Sequence, residues 1–345
     1  MSRSDAAVVS RGESLTIEQD AHLWPFLRLS ALHGLLNAVT FGVFRFWGRT
    51  EVRRQLWDST YVNDDPLAYE GHGLELLFGF LIRAVAVAAV ALVVLFGVRR
   101  LGPVAGLVLM APAYLVLAYG LGFASFAGFL YLATRTEWRG VAFDHQGSPF
   151  AYASAFVGHA VLSALTLGWW WPTAQRRLAG MLWSGLLYGE RPFRFDPAAL
   201  RRQPVYGAFA IGWFVSLMVV LFATGVLLGL ASGFFPTPSP GEEPSNGQMA
   251  ALTFLTLVLI GLVAVAFAPY RAARLRTLAA AVRFEGLRFR FKLSGRELAR
   301  LRASNFVLLT ISLGVLSPYA QARTSRFLID RLRTNGRAEL RSAAG

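Results

Sequence analysis

Cysteine is absent from this chain of 345 residues. That excludes disulfides, thiolate metal sites and cysteine nucleophiles. Lysine is nearly absent too: Lys292 stands alone among 34 basic residues, so arginine carries the positive charge. Charged residues as a whole make up 16% of the chain, against about a quarter in a soluble domain. That is too few to cover a water-facing surface of this size. Enzyme signatures are also missing, with no P-loop, dinucleotide fingerprint or G-x-S-x-G elbow. His72 lies near Glu70 and Glu75 in GHGLE, and Asp144 precedes His145 in FDHQG, but neither has the two-histidine spacing of a zinc helix. The expectation is a protein without catalysis, cofactor or metal. Residues 1–23 lack the basic segment, apolar core and cleavage site of a signal peptide, and read as a polar tail.

What the chain does have is hydrophobicity: 55% of its residues, with a mean hydropathy of +0.47. Four apolar stretches, Leu74–Gly97, Pro103–Ala133, Val205–Phe235 and Met249–Tyr270, each supply the roughly 20 residues a bilayer crossing needs. The net charge of +14 comes from arginines clustered beside these stretches. That placement points to the bilayer and its anionic phospholipid headgroups as partners, and away from nucleic acid. The oligomeric state is left open.

A pattern recurs three times, in TFGVFRFW at 40–47, TLGWWWP at 166–172 and SLGVLSPY at 312–319. Each copy can be anchored on its glycine: Gly42, Gly168 and Gly314. Thr40, Thr166 and Ser312 stand two residues before it; Asn37, Ser163 and Leu309 five before; His33, His159 and Asn305 nine before. Leu56, Leu182 and Leu328 follow it by fourteen. His33, Asn37 and Thr40 share one helix face by this spacing, as do His159, Ser163 and Thr166, with Asn305 and Ser312 keeping the two ends. Intramembrane polar stripes serve as hydrogen bonds that glue helices together more often than as a solute or proton path.

The segment Asn37-x-x-Thr40-x-Gly42 followed by Trp47, Arg53 and Trp57 resembles the YjgN-like family of bacterial inner-membrane proteins, which carry domain of unknown function 898. The likeness runs from about Phe26 to Arg333. It implies an inner-membrane location and a multi-pass architecture, and it implies no activity or catalytic residues.

Charge sets the expected topology. If every apolar segment crossed the bilayer, the arginines after the first and second copies would lie on opposite sides, against the positive-inside rule. Two hairpins, Leu74–Gly97 with Pro103–Ala133 and Val205–Phe235 with Met249–Tyr270, remove the conflict. The repeat segments at 27–47, 154–172 and 303–320 then re-enter from the cytoplasm or lie in the interface, with ordinary spanning helices as the competing arrangement. The loop at 236–248, with two glutamates and no basic residue, suits the outer face, whereas Arg99 and Arg100 sit there against the rule. Trp47, Trp170 and Trp171 belong at headgroup depth. Arg53, Arg54, Arg176, Arg177, Arg323 and Arg326 then meet phosphates from amphipathic helices. Arg83, inside its span, either snorkels or pairs with a carboxylate such as Glu75. Gly102 with Gly106, and Gly225 with Gly229 and Gly233, read as ridges for close helix packing.

The expected fold is thus an all-α polytopic membrane protein with internal repeats, short β segments and amphipathic helices on the cytoplasmic face. The strands are expected at LAYEG, VAFDHQ, FRFD and LRFRF, from their period-two alternation. The expected organisation is a tail at 1–23, repeat motifs at 24–73, 151–204 and 299–336, hairpin segments at 74–150 and 205–298, and a tail at 337–345. Transport of a small solute through the repeat interface is the leading functional expectation, since the polar stripe recurs inside apolar segments. A lipid-binding or membrane-organising scaffold is the alternative.

Overall fold

Among the described residues four helical stretches are long and apolar enough to cross a membrane: Gly73–Leu101, Pro103–Thr134, Tyr206–Val226 and Met249–Ala281, the last divided by a turn at Phe267. The computed structural model describes residues 14–201, 204–231 and 245–338. Most of the acidic loop at 236–248 and most of both tails, together with Gly233, lie outside the described residues.

The chain alternates helices with short strands. In order these are β1 (Ile17–Gln19), α1 (Leu23–Val39), α2 (Arg45–Asp58), β2 (Thr60–Val62), β3 (Asp65–Tyr69), α3 (Gly73–Leu101), α4 (Pro103–Thr134), β4 (Thr136–Trp138) and β5 (Val141–His145). Then come α5 (Pro149–Leu165), α6 (Trp171–Ser184), β6 (Leu186–Tyr188), β7 (Arg191–Phe195), α7 (Pro197–Arg201), α8 (Tyr206–Ala231) and α9 (Asn246–Ala266). The last are α10 (Ala268–Ala281), β8 (Val282–Phe284), β9 (Leu287–Phe291), α11 (Gly295–Ile311), α12 (Ser317–Ile329) and β10 (Leu332–Asn335).

The expected all-α class is overturned. The strands form one ten-stranded antiparallel sheet in strict chain order, β1 through β10. β1 and β10 approach one another, so the sheet nearly closes into a barrel. Thr334 Oγ1 donates to the Leu15 carbonyl beside β1. LAYEG, VAFDHQ, FRFD and LRFRF supply β3, β5, β7 and β9. Each pairs with a three-residue strand just before it across a two-residue turn, as in Val62↔Asp65, Trp138↔Val141, Tyr188↔Arg191 and Phe284↔Leu287. Asn63 and Asp64 adopt φ of 49° and 65°, and Arg139 and Gly140 adopt 51° and 72°. Positive φ at both central residues matches the twist of the flanking strands.

The inner side of this sheet is filled with aromatic rings. Phe193 stacks on Phe284 at 4.5 Å, Tyr188 lies 5.3 Å from Trp138, and Phe143 lies 5.2 Å from Tyr188. Buried Trp and Tyr need partners for their polar ends. Here Trp138 Nε1 donates to the Val62 carbonyl at 3.1 Å, and Tyr188 Oη donates to the Trp138 carbonyl at 3.0 Å.

Two compact units emerge. The first comprises the described residues within Met1–Leu200, Leu278–Lys292 and Val315–Gly345, and holds the whole sheet. The second comprises those within Arg201–Thr277 and Leu293–Gly314. In the first unit α3 and α4 make a hairpin around Gly102, whose φ of +89° reverses the chain. The hairpin is close-packed, since a Cβ on Gly97 would collide with Leu109 and one on Gly106 with Val98. α4 also packs along α5, where a Cβ on Gly122 would come within 2.9 Å of the Ala153 backbone. In the second unit Phe209 of α8 packs on Phe267 at 5.8 Å and on Tyr270 at 5.1 Å.

Candidate functional site

The three Thr/Ser-x-Gly segments build the same backbone turn. Gly42, Gly168 and Gly314 donate to the carbonyls five residues back, of Asn37, Ser163 and Leu309, at 2.7, 2.6 and 2.7 Å. Phe41, Leu167 and Leu313 donate three residues back, to Ala38, Ala164 and Thr310, at 3.5, 3.1 and 3.2 Å. This is the Schellman pattern that closes a helix C-terminus. It explains why asparagine, serine and leucine interchange at the fifth position, because the backbone carbonyl does the bonding. The hydroxyls belong to the same turn. Thr40 Oγ1 donates to the Leu36 carbonyl at 2.7 Å and accepts from the Phe44 amide at 3.0 Å. Thr166 does likewise with Leu162 and Trp170, at 2.7 and 3.0 Å. Ser312 Oγ donates to Leu309 at 3.5 Å.

One feature of these turns departs from the usual chemistry. The left-handed residue of a Schellman turn is ordinarily glycine. Here it is Phe41, Leu167 or Leu313, each at φ 50°. A left-handed bulky residue costs about 1–2 kcal/mol. All three project outward, 97%, 79% and 93% exposed. Val39, Leu165 and Ile311 beside them are also exposed.

The remaining stripe residues are placed separately. His33 is buried against α2, with its ring edge-on to Phe44 at 5.4 Å. Gly48 admits it, since a Cβ there would stand 3.0 Å from His33 Nδ1. His159 accepts from Trp170 Nε1 at 3.2 Å. Ser163 Oγ donates to the His159 carbonyl at 2.8 Å, a back-bond within its helix. Asn305 is buried in α11, and Asn37 Oδ1 is buried without a hydrogen bond. Each imidazole therefore contacts the second helix of its own segment. α1 packs chiefly on α12 and α2, whereas α5 packs chiefly on α4 and α6.

The basic and aromatic candidates lie on α2, α6 and α12. Trp47 is partly exposed and packs against Gly73 at the start of α3. Arg53 Nη1 donates to Tyr69 Oη at 3.1 Å, and Arg54 pairs with Glu51 at 3.1 Å. Trp170 and Trp171 are half-buried at the start of α6. Arg177 is exposed, with Cζ 5.7 Å from the Trp170 ring, and Arg176 reaches the Leu200 carbonyl at 3.5 Å. On α12, Arg323 lies 5.9 Å over Tyr319, and Arg326 donates to the Ala21 carbonyl at 3.4 Å.

Two polar clusters take partners that the sequence did not indicate. Glu75 pairs with Arg135 at 2.5 Å, so its partner is the guanidinium at the foot of α4 and not Arg83. Tyr131 Oη accepts from the His72 amide at 3.2 Å beside this pair. His145 is the second cluster: its Nδ1 accepts from the Gly147 amide at 2.8 Å and its Nε2 meets the Leu182 carbonyl at 2.8 Å. Those contacts fix the neutral tautomer with its proton on Nε2. The pairing of Glu75 with the far end of the same hairpin leaves no local spacing to read. FDHQG did bring His145 forward, but nothing in it points to Leu182. Among the described residues no group of three or more His, Asp or Glu is placed to hold a metal.

The family described as "Bacterial protein of unknown function (DUF898)" matches residues 22–345. The chain belongs to this family. Its shared sequence thus takes in every turn and basic helix above. No curated protein and no solved structure matches the chain.

Proposed function

We propose that this member of the DUF898 family is a lipid-binding, membrane-organising scaffold of the bacterial inner membrane. In this reading the sheet lies on the cytoplasmic side, as the surrounding arginines favour. In the first unit the α3–α4 hairpin leaves the sheet, crosses the bilayer and returns, and in the second unit α8 and α9 cross it. Each Schellman turn tips a shorter helix that enters the membrane and comes back, and the three segments are internal repeats. A 17-residue helix such as α1 or α5 rises about 25 Å, short of the roughly 30 Å hydrocarbon core.

The observation that carries this reading is the exposed left-handed apolar residue at each turn. In water, Phe41, Leu167 and Leu313 would combine backbone strain with exposed apolar area. In lipid, burying such a side chain returns about 1.5–3 kcal/mol, enough to offset the strain. Transport is the weaker reading, because the Thr40, Ser163 and Thr166 hydroxyls serve their own helices.

The cysteine-free background makes the test direct. Single cysteines at Phe41, Leu167 and Leu313 should resist membrane-impermeant maleimide from both sides and be quenched, once labelled, by lipids carrying a spin label in the acyl chain. Native nanodiscs drawn around the protein should be enriched in anionic phospholipid relative to the parent membrane. Free aqueous labelling of the three tips, or a lipid shell of bulk composition, would remove the proposal.

A further inference from the structure

α2 carries arginines one turn apart at Arg45, Arg49 and Arg53, a spacing that sets them along one face. That helix packs on the first turns of α3 through Phe46 and Phe80, whose rings are 5.3 Å apart. Arg45 Cζ lies 4.9 Å from the Phe46 ring and 4.7 Å from the Phe80 ring, which holds its guanidinium at the junction of the two helices. Arg83 comes from α3, ten residues beyond its first residue, about 15 Å into the span at helical rise. Its Nη2 stands 3.7 Å from where a Cβ on Gly79 would be. The side chain therefore folds back a turn toward the start of α3 over a position that has no side chain.

The guanidiniums gather without a counter-charge. Partial desolvation among its neighbours, then repulsion from Arg45, Arg53 and Arg83, holds Arg49 below its ordinary pKa even though the side chain is exposed, and no carboxylate opposes this. The nearby acids are engaged elsewhere, Glu51 with Arg54 and Glu75 with Arg135. Arg45, Arg49 and Arg83 are all exposed on the outer side of the unit. Charges at membrane depth are costly unless paired, and guanidinium forks suit phosphate oxygens.

We infer that Arg45, Arg49 and Arg83 form a binding site for the phosphate of an anionic phospholipid, whose acyl chains run along α3. Arg53 closes the row on the sheet side while bonded to Tyr69. This rests on the lipid-binding reading above but goes further, since it names one site and the ligand chemistry that fills it. The junction of α2 and α3 is thereby distinguished from the basic helices α6 and α12.

The test uses the full-length protein in detergent, with native mass spectrometry reading bound lipid. Phosphatidylglycerol is titrated against phosphatidylcholine, with inorganic phosphate as a separate arm. The expected result is a preference for phosphatidylglycerol that falls about fivefold for Arg49→Gln or Arg83→Gln and roughly twenty-five-fold for both. Arg290→Gln, an exposed position on β9 outside the row, should leave the preference unchanged. If a glutamine variant fails to fold, Arg49→Lys with Arg83→Lys keeps the charge and removes the fork, and a several-fold loss is expected. A wild-type preference that survives in the glutamine double variant, or an equal loss in Arg290→Gln, overturns the site while leaving the lipid-binding reading standing. Binding of free phosphate that blocks phosphatidylglycerol supports the site. Saturation by phosphate without any lipid preference overturns its assignment to lipid, and absence of any anionic preference in the wild type removes both readings.

Discussion

Trp138 offers a direct test of the sheet as the framework of the first unit. It is 4% exposed, lies 5.3 Å from Tyr188, and donates its indole N–H to Val62 at 3.1 Å. Replacing it with alanine removes the ring and the bond and leaves a cavity bounded by strands from several hairpins, at about 3–5 kcal/mol. Trp138→Phe keeps most of the apolar area and strands the Val62 carbonyl, at about 1–2 kcal/mol. For a chain of this size each kcal/mol shifts the midpoint by about 2 °C. Trp138→Ala should therefore melt roughly 6–10 °C below wild type and Trp138→Phe roughly 2–4 °C below. Thermal unfolding in detergent, followed by near-ultraviolet circular dichroism at a fixed scan rate, separates the two. If both variants melt within about 1 °C of wild type, the aromatic interior is not what fastens the strands.

Other expectations follow from single contacts. Gly168 has φ +88°, so Gly168→Ala should cost about 1 kcal/mol in chemical denaturation, whereas the same change at Gly158, within α5 and open to added atoms, should cost nothing or stabilise. His145→Ala leaves the Leu182 carbonyl and Gly147 amide unpartnered in a buried place, and should lower the melting midpoint by the equivalent of about 2–3 kcal/mol. The Asp196 carboxyl is held below its ordinary pKa, first by the side-chain hydrogen bond from Arg283 at 2.7 Å and then by the Ala198 amide. A depressed carboxyl adds stability that is present above its unfolded value and is lost as pH falls through the folded one. Asp196→Asn should thus flatten the acid limb of the stability–pH curve below about pH 4, and an unchanged acid limb would refute the linkage.

Four of the ten strands, β3, β5, β7 and β9, were legible in the sequence. LRFRF and FRFD alternate clearly enough to read. Their partners, TYV, TEW, LLY and VRF, are three residues long and follow a helix at once, so no period of two can establish itself. The turns between them carry only Asn-Asp, Arg-Gly, Gly-Glu and Glu-Gly, weaker signals than Asn-Gly. Sheet closure depends on β1 and β10, which lie at opposite ends of the chain and share no local pattern. The Thr-x-Gly turn was visible as a repeat, but its left-handed Phe41, Leu167 and Leu313 were not, because propensity places glycine there. Of the polar stripe, His33, Asn37, His159, Ser163 and Asn305 lie within helices, whereas Thr40, Thr166 and Ser312 are the residues that cap them. Spacing could not show that Thr40 and Ser163 would bond carbonyls one turn back.

The order of strands in the sheet is the order of the chain, and every helical excursion starts and ends at neighbouring positions. In the first unit the excursions α1–α2, α3–α4 and α5–α6 are therefore fingers set on a common palm. Adding or deleting turns at a fingertip changes how deep that finger reaches and leaves the register of its neighbours alone. Under the membrane arrangement proposed above, a lineage bearing such a palm could match bilayers of different thickness by trimming α3–α4 without rebuilding the base.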